Sequence, residues 1–88
     1  MMQHMGWALK LENVPPAAKL LAVYIGDYYG CGPTDPRDGF TFMVDVAAKF
    51  CCVHQDEVDG LLKRIPGLVV VPRNGGFRQV WLPEEACK

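Results

Sequence analysis

Among the residues able to do chemistry, the sulfur and imidazole groups come first: Cys31, Cys51, Cys52 and Cys87, with His4 and His54. Zinc sites need paired ligands two to four residues apart, and these residues supply no such pairs. Cys51 and Cys52 are too near His54 in sequence to form a nucleophile and base, because a helix end there would bury the thiols or point them apart. Asp56 and Glu57 diverge around a helix and make no catalytic carboxylate pair. Asn74-Gly75-Gly76 sits in a hairpin rather than in a phosphate loop after a strand. No enzymatic activity, metal or cofactor is therefore expected. The remaining polar side chains of interest are His54, Gln55 and Lys63 on one helix and Arg73, Asn74 and Arg78 around a hairpin tip; Gln55 and Lys63 are the plain hydrogen-bond donors of the helix, and Arg73 and Arg78 are read equally well as solvated hairpin charges.

The elements that must position these donors can be read from apolar spacing. From Thr41 to Arg64 the chain forms two short helices joined by a tight turn, with Val46, Ala47, Phe50, Val53, Val58, Leu61 and Leu62 meeting underneath. Asp45 and Lys49 can pair on the outer face of the first. His54 is placed to cap the second, whose first turn carries Gln55, Asp56 and Glu57 and whose last carries Lys63 and Arg64. This charge order suits the helix dipole whether or not anything binds.

Upstream, Trp7, Leu9 and Leu11 alternate with Ala8 and Lys10, which predicts an extended segment or docking arm with Trp7 on the core. Pro15 and Pro16 predict a helix start, followed by Ala17, Leu20, Leu21, Tyr24, Ile25 and Tyr28 as its inner face and Gly30 as its stop. GCGPTDPRDG predicts a loop, and Phe40-Thr41-Phe42 a short strand. Downstream, Pro66-Gly67 ends the last helix. Leu68 to Val71 and Phe77 to Leu82 form a hairpin whose turn is built around Asn74-Gly75. On the returning strand Phe77, Gln79 and Trp81 share one face, with Trp81 packing on the first helix, while Arg78, Val80 and Leu82 share the other.

The run AAKFCCVHQDEVDGLLKRIPGLVVVPRNGG resembles a segment of winged helix-turn-helix bacterial regulators and phage or plasmid replication-type proteins. That family has a Leu-Ala pair, a turn glycine, an apolar residue, a Ser cap, a Val, a Leu and a Gly-Leu-Val before the wing. Here Ala47-Ala48, Cys52, Val53, His54, Val58, Leu62 and Gly67-Leu68-Val69 occupy those places. PPAAKLLAVYIGDYYG is similar to the first helix of the phage-type members. The resemblance implies an α+β winged helix-turn-helix over residues 1–88, with three helices and a C-terminal β-hairpin wing. It places the helix-turn-helix at about 43–65 and the wing at about 68–82. It further implies DNA binding through Gln55, Asp56, Glu57, Asp59, Gly60 and Lys63, in a transcriptional or replication-linked regulator.

Composition bounds these expectations. The chain has 88 residues, 50% hydrophobic and 22% charged, with a net charge of -1. This suits one small core, and a core of that size makes a homodimer an attractive arrangement. Without a global positive field, any contact with double-stranded DNA has to be local. Three carboxylates on the second helix oppose it. A module that binds itself or another protein without binding DNA is therefore the alternative. No apolar run is long enough to cross a membrane, and MMQHMGWALKLEN lacks the pattern of a secretion signal, so a cytoplasmic location with reduced thiols is expected.

Overall fold

The computed structural model describes residues 3–29 and 39–83. Helix α1 spans Gln3–Leu9 and α2 spans Pro16–Tyr29. The proline start of α2 is as expected: the Pro15 carbonyl accepts the Lys19 N–H at 3.0 Å, while the Pro16 ring fixes φ where no intrahelical donor is needed. The segment expected to be extended is instead helical. A few alternating residues fit either period, and the helix wins because it packs fully buried Ala8 into the core, with Trp7 and Leu11 half-buried against it.

Docking of α1 also rotates the buried arc of α2. Ala18, Leu21, Ala22 and Ile25 are inaccessible, whereas Leu20 and Tyr28, expected inside, are 44% and 50% exposed. The helix stop at Gly30 and the loop up to Asp38 lie outside the described residues.

Strand β1, Phe40–Met43, runs directly into α3, Val44–Cys51. The buried face of α3 is Ala47, Ala48 and Cys51. Val46 and Phe50, expected underneath, lie half open at its side, with the Phe50 ring 5.2 Å from that of Tyr24. Asp45 Oδ1 accepts the Val46 N–H at 2.9 Å rather than pairing with Lys49.

At the turn, Cys52 is left-handed, with φ 58° and ψ 40°. Its N–H and that of Val53 reach back to the α3 carbonyls of Lys49 and Ala48. A 3₁₀ turn, Gln55–Glu57, then leads into α4, Val58–Lys63.

Strands β2, Val69–Arg73, and β3, Phe77–Trp81, form the expected hairpin, and β1 adds to its free edge in the order β1-β3-β2, all antiparallel. Phe40 and Val70 both face Val80, and Pro72 faces Arg78. The turn has three residues, Asn74–Gly76. Its left-handed positions are Gly75 and Gly76, not Asn74, so it differs from the two-residue Asn-Gly turn in which both central residues take positive φ. The Trp81 ring lies against Gly39, where an added Cβ would collide with the Val80 carbonyl oxygen.

The result is a small α+β fold with four α-helices and a three-stranded antiparallel sheet among the described residues, one helix more than expected. Its largest fully buried side chains are Leu21, Ile25, Val58, Leu62 and Val80. No described helix is long and apolar enough to cross a membrane.

Cys52 is exposed and carries a left-handed backbone that costs a residue with a Cβ about 1–2 kcal/mol. Cys52→Gly removes that strain and adds a smaller unfolded-state entropy penalty. It should stabilise the domain by roughly 0.5–1 kcal/mol in urea denaturation, whereas Cys52→Val should destabilise it.

Candidate nucleic-acid interface

The 3₁₀ turn that leads into α4 is held by a reciprocal cap, while α4 itself starts after Glu57 with no side-chain cap of its own. His54 Nδ1 accepts the Asp56 N–H at 3.2 Å, and Glu57 Oε2 accepts the His54 N–H at 3.0 Å. The Asp56 carboxylate lies 3.3 Å from the same Nδ1. His54 therefore caps at its expected place, but what it caps is the 3₁₀ turn before α4 and not α4 itself. Glu57, counted among the repulsive carboxylates, is engaged in closing the turn.

Asp59 is engaged more firmly. Its two carboxylate oxygens accept from Arg78 Nε at 2.8 Å and Nη2 at 3.0 Å, a bidentate pair joining α4 to β3, while Arg78 Nη1 donates to the Phe77 carbonyl at 2.9 Å. The bond from Arg78 holds the Asp59 carboxyl below its usual range, against a smaller desolvation effect and with help from the charges of Arg78 and Lys63. The same hydrogen bond raises the Arg78 guanidinium. On the hairpin, Arg73 Nε donates to Gln79 Oε1 at 2.8 Å, joined by its Nη2. That partner is neutral, so the Arg73 charge is held in place without being cancelled.

The six candidate residues thus do not converge on one place. Lys63 and Arg78, with Asp59 between them, border a groove of about 430 Å³ between α4 and β2, floored by Leu62, Ile65, Leu68 and Val70 and edged by Pro72. Exposed Arg64 follows Lys63, whereas Arg73, bonded to Gln79, lies on the hairpin face opposite Pro72 and Arg78. Gln55 lines a smaller hollow of about 240 Å³ with Met43, Asp45 and the hairpin glycines Gly75 and Gly76. His54 sits beside it at the start of the 3₁₀ turn, and exposed Asn74 opens the hairpin turn.

One feature escaped the sequence reading, the Asp59–Arg78 pair, whose members are 19 residues apart and which no local spacing signals. Gly60, named there only through the resemblance, is exposed inside α4 with open space where a Cβ would go.

The thiols divide too. Cys51 is buried, and burial followed by the neighbouring Cys52 pushes it up, whereas Cys52 is exposed. Among the described residues, no three His, Cys, Asp or Glu side chains gather in a way that could hold a metal ion. Comparison with known protein families, curated proteins and solved structures finds no match to the chain.

The Asp59–Arg78 pair should show a coupling of about 0.5–1 kcal/mol in a double-mutant cycle of Asp59→Asn and Arg78→Met, a bidentate geometry still screened by solvent. Because the Asp59 carboxyl is lowered by folding, this stability is full above the unfolded carboxylate value of about 4 and is lost as pH falls through the lower folded value. Urea titrations at pH 7 and pH 2 should show the coupling at the first and its disappearance at the second.

Proposed function

We propose that this chain is a winged helix-turn-helix DNA-binding protein of the cytoplasm, acting as a transcriptional or replication-linked regulator. The observation that carries the reading is the sorting of charge around α4. Glu57 is committed to the His54 cap and Asp59 to Arg78, while Lys63 and Arg64 at the far end of α4, and Arg73 on the adjoining hairpin, keep their charge toward solvent. The order of elements supports it, since α3, the turn and α4 precede an antiparallel hairpin whose β2 strand shares a groove with α4. In this reading Lys63, Arg64 and Arg73 meet phosphate, Gln55 and His54 offer donors to bases, Asn74 approaches at the wing tip, and Arg78 positions the wing.

Gly60 adds a second support. A glycine inside an exposed helix costs about 1 kcal/mol relative to alanine, and open space above it leaves room for a partner's backbone to come close. Among the described residues nothing fills that space.

A second reading is favoured by the apolar side chains Val46, Phe50 and Tyr28, which stand half exposed on α2 and α3. In it, the same fold binds itself or another protein and does not bind DNA.

Fluorescence anisotropy with a random-sequence duplex separates the readings. DNA binding predicts measurable affinity at about 50 mM salt that falls steeply as salt rises, with Lys63→Ala, Arg64→Ala and Arg73→Ala each lowering the salt slope by about 1. Gly60→Ala should stabilise the fold by about 1 kcal/mol and still weaken binding. Absence of any salt-dependent binding by the native chain would sink the DNA reading and leave the second.

A further inference from the structure

We propose that the side of α3 bearing Asp45, Val46, Lys49 and Phe50 is a homodimer interface, on which a second copy of this chain docks its own α3 antiparallel across a two-fold axis. The face lies away from Lys63 and Arg64, adjoins the hollow that Asp45 shares with Gln55, and the proposal does not depend on DNA binding.

Val46 and Phe50 lie one turn apart on the same side of α3 and are 45% and 48% exposed. They continue across the Phe50–Tyr24 ring contact to Tyr28, itself half exposed and stacked on Phe40 with ring centroids 6.0 Å apart. The apolar strip therefore spans two helices and stands on a rigid aromatic cluster, as a docking surface requires.

The neighbouring stripe of α3 identifies the occupant. Asp45 and Lys49 are also one turn apart, about 6 Å along the axis, with the acid toward the N-terminus. Among the described residues neither side chain has an ion-pair partner, and Asp45 accepts only the adjacent Val46 N–H. A two-fold axis perpendicular to a pair of antiparallel helices brings the same flank of each together with its direction reversed. Val46 then faces Phe50 of the second copy, and Asp45 comes opposite Lys49 of the second copy, twice by symmetry. A parallel pair would bring opposite flanks together and leave these charges unmatched. The stripe is thus self-complementary in one orientation only, and the partner that matches it in sequence, charge and spacing is the chain itself.

Sedimentation of the full chain without DNA tests this directly. The native protein should show a concentration-dependent dimer, and Phe50→Glu should be monomeric with an unchanged helical circular dichroism spectrum. Asp45→Lys and Lys49→Asp should each weaken self-association by about tenfold through like charges. Mixing these two variants should restore a heterodimer, since the stripe of one then carries two cations and the stripe of the other two carboxylates. If a variant loses its fold, a zero-length carbodiimide cross-link between Asp45 and Lys49 of two isotopically distinct native copies gives the same answer. A monomer at the highest soluble concentration, a dimer indifferent to Phe50→Glu, or failure of the mixed pair to recover would each overturn the proposal.

Discussion

The structure depends on the joint burial of Leu21, Ile25, Val58, Leu62 and Val80, which ties α2, α4 and β3 into one core. Each comes from an element that would not persist alone. Helix α4 has only six residues, one of them glycine, so helix propensity leaves it far short of autonomous stability. It forms because Val58 and Leu62, four residues apart, lock one face into the core. The His54 cap closes the 3₁₀ turn before it, and the Asp59–Arg78 pair ties it to β3. Removing water from five apolar side chains thus does more than stabilise: it determines where every polar residue of α4 points.

That constraint explains which parts of the fold were legible in the sequence. The proline start of α2, the His54 cap, the strand before α3 and the hairpin are local signals, and each appears where its residues predict. The departures around α2 share one cause, the docking of α1. Trp7, Ala8 and Leu11 fit two periods over too short a span, and once α1 forms they pack with the Ala18, Leu21, Ala22 and Ile25 arc of α2. Leu20 and Tyr28 are displaced outward as a result. The open side of α3, its unmade Asp45–Lys49 pair and the three-residue hairpin turn are separate departures. Helical periodicity gives the existence of an apolar face but not its rotation, which is set by neighbours far away in sequence.

The candidate site was legible by residue type and not by partnership. Gln55, Lys63, Arg73 and Arg78 could be named as donors from their places on a helix and a hairpin. The strand pairing that sets Arg78 opposite Pro72, and hence beside the groove facing Asp59, could not. The consequence is a reversal of emphasis. Along the sequence, the 3₁₀ turn and α4 present three carboxylates within four residues, Asp56, Glu57 and Asp59. Folded, one closes the cap, one is neutralised by Arg78 on β3, and Asp56 remains at the N-terminal end beside His54.

Charge around α4 is consequently polarised along its axis. Acid collects where the helix dipole is positive, and Lys63 and Arg64 collect where it is negative, an order the dipole alone would favour. Arg73 stands outside that explanation, because it belongs to the hairpin and not to the helix. It shares the hairpin face of Gln79, which holds its guanidinium, whereas Pro72 and Arg78 border the groove from the other face. The field at the groove is set by groups within about a Debye length and not by the sum over the chain, so a net charge of -1 leaves it to Lys63, Arg78 and Asp59.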